Sequence, residues 1–282
     1  MDPGLIQDIF ATTLVVSVML GVGLDVDRTS LRALVKQWPI LLRAGAFNHV
    51  LVPIVAWGIA EALGVPQQTK LAMLLIASVP GGPVGSLLVR HGRGDLALSV
   101  ALVITLGLTN TIATPLSLSL LGVEADRAAF FAATLRTVFG VVVLPLLVGQ
   151  AIRGASLVWA GRVSKVATML ANVLLVGLIV GMSALNGHLI TEFDGRTIAA
   201  MAALMIFCLG GGALIGGRSR PIQAATGLTG GVRNIALALL LAPRMLDDYG
   251  QLVVLLYPLF VLILASSATL LFRAVNARPQ LN

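Results

Sequence analysis

Apolar residues fall into nine runs along the chain, separated by short polar segments or by glycine and proline. Each run has about 20 residues or more, the length that an α-helix needs to cross a bilayer. The pattern therefore predicts an all-α polytopic membrane protein with about nine transmembrane helices. The predicted spans, numbered one to nine, are residues 5–24, 38–63, 69–89, 95–121, 128–151, 164–186, 197–216, 221–243 and 249–272.

Two of these spans contain residues that a straight helix disfavours. The third span has Pro80–Pro83 (Pro-Gly-Gly-Pro) at its middle, and the eighth has Gly230 and Gly231 just before Arg233. Proline removes a helical hydrogen bond, and glycine adds backbone freedom. We predict two discontinuous helices with extended backbone at Pro80–Pro83 and at Gly230–Gly231, lying close together near the middle of the bilayer. The alternatives are a proline kink in the third span and close helix packing by small residues in the eighth.

The two interruptions occupy equivalent places in the order of spans. One lies in the third of spans one to four, the other in the third of spans six to nine, and the sets are offset by five spans. Because an odd offset inverts topology, this arrangement is typical of inverted-repeat secondary transporters. The predicted organisation is one membrane unit, residues 1–282, with repeat one at 5–121, a linking helix at 128–151 and repeat two at 164–272.

Composition and charge agree with a membrane protein. Of the 282 residues, 57% are apolar and 11% charged, and the net charge is +7. In a soluble protein such a charge would suggest nucleic acid, but here no nucleic-acid partner is expected, because basic residues gather in cytoplasmic loops. The loops after spans one, three, five and seven and the C-terminal tail carry twelve: Arg28, Arg32, Lys36, Arg90, Arg93, Arg153, Arg162, Lys165, Arg218, Arg220, Arg273 and Arg278. The other side carries four: Lys70, Arg127, Arg196 and Arg244.

This bias predicts an integral protein of the plasma membrane, the inner membrane of a bacterium, with the N-terminus outside and the C-terminus in the cytoplasm. Enzyme chemistry is not expected, since no nucleophile, base and orienting acid occur at a recognisable spacing. No metal site is expected either, because the three histidines fall at different depths and the one cysteine, Cys208, lies in an apolar run. The expected partners are the lipid bilayer and a small substrate, and nothing in the sequence indicates an oligomeric state.

Polar residues inside the spans are the first candidates for a functional site, since a charge deep in a bilayer is costly and usually faces a partner or a polar cavity. Arg233 can hold a carboxylate or sulfonate through two hydrogen bonds, or it can act as a built-in cation that braces the broken helices. His49 can carry a coupling proton or can bond to a neighbouring helix. Thr105, Thr109 and Asn110 form a polar stripe that either lines a cavity or bonds between helices.

Residues 77–116 resemble the bile acid:sodium symporter family. The shared features are the Pro-Gly-Gly break, a short basic loop, the Gly-Asp-x-Ala-Leu-Ser segment at 94–99 and a helix that ends in Pro115 and Leu116. Further matches are the glycine-rich end of span one (19–24), Pro53, Pro145 with Gly149, and the segment 231–234. The resemblance implies a ten-helix, two-domain fold with crossed broken helices, here without its first helix. It also implies a secondary transporter with a rocking or elevator movement of a core against a panel formed by spans one, five and six.

The chain departs from the pattern of the sodium-using members of that family. Ser86 stands where they have an Asn, and Leu106 with Gly107 stands where they have a Ser-Thr pair. Thr229 replaces a Glu, Arg233 and Asn48 each replace a Gln, and Asn234 is retained. Leucine, glycine and arginine supply no side-chain oxygen for a cation. The departures therefore argue against a sodium requirement and leave a proton as the other coupling ion to consider. No further cofactor is expected.

The resulting hypothesis is a secondary transporter that moves an organic anion, such as a carboxylate, a sulfonate or a bile-acid-like compound, by alternating access. The alternatives are an uncoupled channel-like or sensor protein on the same fold, or an exporter of organic anions. The candidate substrate-binding residues are Arg233, Asn234, Ser86, Gly81, Gly82, Thr109 and Asn110. The candidate coupling or ion-site residues are Asn48, His49, Thr105, Thr229 and Gly230.

The orientation is tested by labelling from one side of the membrane. A reporter fused to the C-terminus, and a cysteine introduced beside Arg153, are expected to react only from the cytoplasm, because the basic loops lie there. Impermeant maleimide on intact cells and on inverted vesicles makes the measurement. Labelling of the Arg153 loop from outside would contradict both the orientation and the inverted-repeat assignment.

Overall fold

The computed structural model describes residues 3–120, 127–186 and 193–276, and within these ranges every regular element is helical. Leu121, the last residue of predicted span four and of repeat one, and the basic Arg278 lie outside them. The α-helices are α1 Pro3–Asp25, α2 Arg28–Lys36, α3 Trp38–Ala46, α4 Val52–Leu63, α5 Gln67–Ala77, α6 Val84–His91, α7 Leu96–Leu120, α8 Arg127–Val138, α9 Leu144–Ala155, α10 Leu157–Asn186, α11 Gly195–Ile215, α12 Arg220–Gly231, α13 Ile235–Leu241, α14 Asp248–Phe260 and α15 Ser266–Asn276.

Seven helical stretches in the described residues are long and apolar enough to cross a bilayer. They are Gln7–Asp25, Trp38–Leu63, Leu96–Leu120, Ala128–Ala155, Leu157–Leu178, Gly195–Ile215 and Asp248–Asn276. These stretches correspond to predicted spans one, two, four, five, six, seven and nine. Predicted spans three and eight are each divided into two shorter helices, α5 with α6 and α12 with α13. The prediction of an all-α polytopic membrane protein is confirmed.

Three of the long stretches contain a five-residue π-helical segment that the hydropathy pattern did not reveal: Phe47–Leu51, Phe139–Val143 and Val261–Ala265. The first two end just before Pro53 and Pro145. Proline has no N–H to donate to the carbonyl group four residues earlier, and its ring clashes with that carbonyl group. The wider π-helical turn avoids the clash and removes the need for the missing hydrogen bond. Such segments also redirect side chains and are frequent at functional sites.

The segment after span one, predicted as a cytoplasmic loop, contains a short helix, α2, at residues 28–36. Its N-cap is Asp27, whose carboxylate accepts the backbone N–H of Ser30 at 2.8 Å and the hydroxyl of Thr29 at 2.7 Å. The bond from the Ser30 amide, followed by the one from Thr29, lowers the pKa of Asp27 to about 2, so the cap is ionised at neutral pH. A helix of nine residues is about 13 Å long and is too short to cross a bilayer.

The sixth span begins seven residues earlier than predicted, at Leu157 rather than 164. The reason is the tight corner at Ser156, where the backbone is extended (φ −160°, ψ 118°) after α9 ends at Ala155. The Ser156 hydroxyl then accepts the N–H of Trp159 at 3.3 Å in the first turn of α10. A one-residue corner thus replaces the predicted loop.

The long helices pack in two groups. In the first group, α1 lies against α9 and α10. The backbones of α1 and α9 approach each other closely at two glycines. A Cβ atom on Gly23 of α1 would lie 2.1 Å from the Leu146 carbonyl oxygen of α9, and a Cβ atom on Gly149 of α9 would lie 2.5 Å from the Leu20 carbonyl oxygen of α1. In the second group, α12 packs against α11, α6 and α7. This second group contains one half of each broken helix, α6 and α12, and therefore borders the candidate site.

Candidate functional site

The two interrupted helices meet at their breaks. Residues 78–83 separate α5 from α6, residues 232–234 separate α12 from α13, and Pro80 and Arg233 form an antiparallel bridge. The Gly82 N–H donates to the Val232 carbonyl at 3.0 Å, and the Asn234 N–H donates to the Val79 carbonyl at 2.8 Å. We call residues 78–83 and 232–234 together the crossing. Each break supplies hydrogen bonds to the other, as backbone inside a membrane requires.

Glycine is needed twice in the first break. Gly81 has φ +84°, in the left-handed region that side chains with a Cβ rarely adopt. A Cβ on Gly82 would lie 2.2 Å from the Arg233 carbonyl oxygen, so any larger residue would push the two strands of the bridge apart. The prediction of an extended break at Pro80–Pro83 is confirmed in its position and in its contact with the other break.

The second break was predicted at Gly230–Gly231 and lies instead at residues 232–234, after the last turn of α12. Gly231 remains helical and packs on Leu209. A Cβ atom on Gly231 would lie only 2.4 Å from the Leu209 Cδ2 atom. Gly230 faces Asn48, with the amide nitrogen 3.4 Å from such a Cβ. These glycines allow close helix packing, and the extended residues of the bridge begin only where α12 has ended.

Helix α7 holds the first break in place. Asn110 donates through its side-chain nitrogen to the Pro80 carbonyl at 3.0 Å, and Thr114 donates through its hydroxyl to the Ser78 carbonyl at 2.7 Å. Both side chains are fully buried, and the Asn110 side-chain oxygen has no hydrogen-bond partner. In this conformation Asn110 therefore supports the crossing, and only its oxygen remains available to another group.

Arg233 is the charged centre of the crossing, and its side chain is 1% exposed. One terminal nitrogen donates to the Asn48 side-chain oxygen at 2.8 Å, and the other donates to the Cys208 sulfur at 2.8 Å. The Tyr257 hydroxyl also lies within its reach and donates to the Gly231 carbonyl at 2.7 Å. The ion pairs among the described residues are Lys70–Glu61 and Arg196–Asp194, so no described carboxylate pairs with this guanidinium.

A chain of three hydroxyl groups lies beside the crossing. Ser86 in α6 and Ser99 in α7 are 2.9 Å apart between their hydroxyl oxygens, and Ser99 is 2.6 Å from the hydroxyl of Thr229 in α12. The structure thus connects two candidate residues, Ser86 and Thr229, through a third that was not singled out. The only signal for Ser99 in the sequence was its place in the segment at 94–99.

A second polar pair joins span two to α7. The His49 Nε2 atom is 2.7 Å from the hydroxyl oxygen of Thr109, and that hydroxyl donates to the Thr105 carbonyl at 2.8 Å. Either group can be the donor, depending on the tautomer of His49 and on the rotation of the Thr109 hydroxyl. The π-helical segment Phe47–Leu51 directs the two neighbours differently, Asn48 toward Arg233 and His49 toward Thr109.

Asn234 follows Arg233 and caps α13. Its side-chain oxygen accepts the Leu237 N–H at 3.1 Å, and its side-chain nitrogen is buried without a partner. The candidate residues therefore fall into three neighbouring sets: Arg233, Asn234, Asn48, Gly230, Gly81, Gly82 and Asn110 at the crossing, Ser86 and Thr229 in the hydroxyl chain, and His49, Thr105 and Thr109 beside them. Cys208, Tyr257, Ser99 and Thr114 were not predicted, since their roles depend on contacts between distant parts of the chain.

Several backbone oxygens around the crossing are already used. The carbonyl groups of Ser78 and Pro80 in the crossing, and of Gly231 just before it, accept hydrogen bonds from side chains. The side chain of Leu106 packs against Gly81, with its Cβ atom 2.8 Å from the position that a Cβ of Gly81 would take. A permanent cation, Arg233, lies at the centre of the crossing.

Asn48 is predicted to stabilise the fold through its oxygen. Asn48→Leu removes an acceptor from a buried guanidinium and is expected to lower the free energy of unfolding by about 1.5 to 3 kcal/mol. Asn48→Asp, the matched variant, places a carboxylate beside Arg233 and is expected to keep or raise the thermal midpoint of the purified protein. An equal loss in both variants would mean that the shape of Asn48, and not its bond to Arg233, matters.

Comparison with known proteins agrees with this architecture. The model of the sodium bile acid symporter family matches residues 12–193, which include the first break but not residues 232–234. An uncharacterized sodium-dependent transporter of Bacillus subtilis, YocS, is 26% identical over 171 residues, 59% of this chain and 51% of that protein. The probable sodium/metabolite cotransporter BASS1 of Arabidopsis thaliana chloroplasts is 26% identical over 134 residues, 46% of this chain and 32% of that protein. The chain thus spans about half or less of the length of these relatives. With the family model matching well over half of its residues, the chain belongs to the sodium bile acid symporter family.

Proposed function

We propose that this protein is a secondary transporter that moves an organic anion, a carboxylate, sulfonate or bile-acid-like compound, by alternating access. We further propose that Arg233 supplies the positive charge that sodium supplies in sodium-dependent relatives. The observation that carries the proposal is the buried guanidinium at the crossing, which has no carboxylate partner among the described residues.

The electrostatic argument begins with the environment of Arg233. A buried charge is stabilised mainly by an opposite charge, and an amide oxygen, a sulfur atom and a hydroxyl group compensate it only in part. Three side-chain atoms at the crossing lack partners: the Arg233 Nε and the Asn234 side-chain nitrogen are donors, and the Asn110 side-chain oxygen is an acceptor. The permanent charge and the two free donors favour an anion over a second cation, and the Asn110 oxygen can accept a hydrogen bond from that anion.

A count of the charges at the crossing supports transport that does not need sodium. By resemblance, a sodium-using relative has two sodium ions and one carboxylate at this place, which leaves a surplus of about one positive charge. Here Thr229 replaces the carboxylate, and Arg233 alone leaves the same surplus. If substrate movement is coupled to an ion, His49 is the candidate carrier of a proton, because it follows Asn48, the partner of Arg233, and lies within hydrogen-bond distance of the Thr109 hydroxyl.

Alternating access is supported by the closed state of the site. Arg233, Asn234, Thr229 and Asn110 are each 1% exposed or less. A substrate reaches them only if helices separate, which argues for a transporter and against a permanently open pore. The α1, α9 and α10 group is the candidate for the panel that the other helices move against, since these helices pack mainly on one another, while α1 also meets α13.

Transport is tested with the purified full-length protein in proteoliposomes. Uptake of a labelled sulfonated bile acid and of short carboxylates is measured under an inward proton gradient. Accumulation of any of these above its equilibrium level supports coupled transport. Equilibration without saturation would support the channel alternative and contradict the proposal.

Arg233 is predicted to dominate binding of the anion. Arg233→Ala is expected to weaken affinity by a factor of about ten to a hundred, because a charge-assisted hydrogen bond contributes about 1.5 to 3 kcal/mol. Arg233→Lys is expected to restore only part of it, since the forked donor is gone. Asn48→Asp is expected to fold and yet to lose affinity, because it neutralises the guanidinium.

The matched control is Arg136→Ala, which removes an exposed arginine from another long apolar stretch. Its affinity is expected to equal that of the unmodified protein. Equal effects of Arg136→Ala and Arg233→Ala in the same titration would show that the charge at the crossing has no special part in binding.

A further inference from the structure

An open cavity of about 240 Å³ lies between α2 and the start of α7. Arg32 and Lys36 line it from α2, Gln37 from the joint with α3, and Asp95 and Ala97 from the start of α7. The proposed transport function uses none of these residues.

The cavity has an uncompensated positive charge. The side chains of Arg32 and Lys36 are exposed, and neither has a hydrogen-bond or ion-pair partner in the described part of the chain. The one carboxylate present, Asp95, is already engaged, because it accepts the Leu98 N–H at 2.9 Å and the Gln37 side-chain nitrogen at 3.4 Å. Two cations and one anion leave a charge of about +1, which a singly charged anion would balance.

The surface next to these charges is apolar. Leu31 and Val35, four residues apart on α2, are 43% and 76% exposed, and Trp38 at the start of α3 is 58% exposed. A short helix with basic residues beside exposed apolar ones is typical of a segment that lies in the membrane interface. Tryptophan is enriched at the level of the lipid headgroups. The combination fits a lipid better than a free soluble anion, which would leave this surface uncovered.

We propose that the cavity binds the headgroup of an anionic phospholipid. The phosphate lies on Arg32 and Lys36, and the acyl chains cover Leu31, Val35 and Trp38. Helix α2 connects α1 to α3 and packs on α7. A lipid bound to α2 and to the start of α7 would therefore stabilise the connection between the two helix groups. This inference does not depend on the transport function.

The test uses the delipidated full-length protein in detergent, with native mass spectrometry to measure retained lipid. Phosphatidylglycerol carries a net negative charge and phosphatidylcholine carries none, so tighter binding of phosphatidylglycerol is expected. The double variant Arg32→Gln/Lys36→Gln is expected to bind phosphatidylglycerol about thirtyfold more weakly, about fivefold for each cation lost. The control Arg162→Gln/Lys165→Gln removes two exposed basic residues of α10 and is expected to bind as the unmodified protein does.

A second variant and a second probe make the test independent of charge alone. Val35→Asn keeps both cations and is expected to weaken lipid binding, because Val35 contacts the acyl chain. Glycerol phosphate, the headgroup without chains, is expected to bind far more weakly than the lipid. Equal losses in the two double variants, or glycerol phosphate binding as tightly as phosphatidylglycerol, would overturn the proposal.

Discussion

Backbone hydrogen bonding inside a membrane is the constraint on which this structure depends. A helix satisfies its own amides and carbonyls, but a broken helix leaves several of them without partners, each at a cost of several kcal/mol in hydrocarbon. Here Gly82 bonds to Val232 and Asn234 bonds to Val79, so that each break completes the other. Neither break is stable alone, and the close packing of α6, α7, α11 and α12 follows from the need to hold the two together.

Once the breaks are paired, Arg233 is the charged group at the crossing. Its backbone forms the bridge with Pro80, and its side chain extends to Asn48 and Cys208. The residue therefore belongs to the fold and to the site at once. A mobile sodium ion can leave such a place, whereas a covalent cation cannot, and this difference separates the proposed mechanism from that of sodium-dependent relatives.

Much of this architecture was predictable from the sequence, and the errors have physical causes. Runs of about 20 apolar residues leave few alternatives to membrane helices, and Pro80–Pro83 cannot continue one. Gly230 and Gly231 misled the prediction by two residues, because glycine serves close packing as readily as it serves a break. Helix α2 was missed since nine residues with alternating basic and apolar side chains resemble a loop in hydropathy. The partners of Arg233 were not predictable at all, because Asn48 and Cys208 are 185 and 25 residues away along the chain.

The role of Arg233 is tested most directly by measuring how the affinity for the transported anion depends on sodium. Titrations of the purified protein are compared in sodium, potassium and choline salts at constant ionic strength. The account predicts the same affinity in all three, since the positive charge is part of the chain. An affinity that rises steeply with sodium and is unchanged in Arg233→Ala would contradict it, and would direct attention to Thr105, Thr109 and Asn110 as sodium ligands.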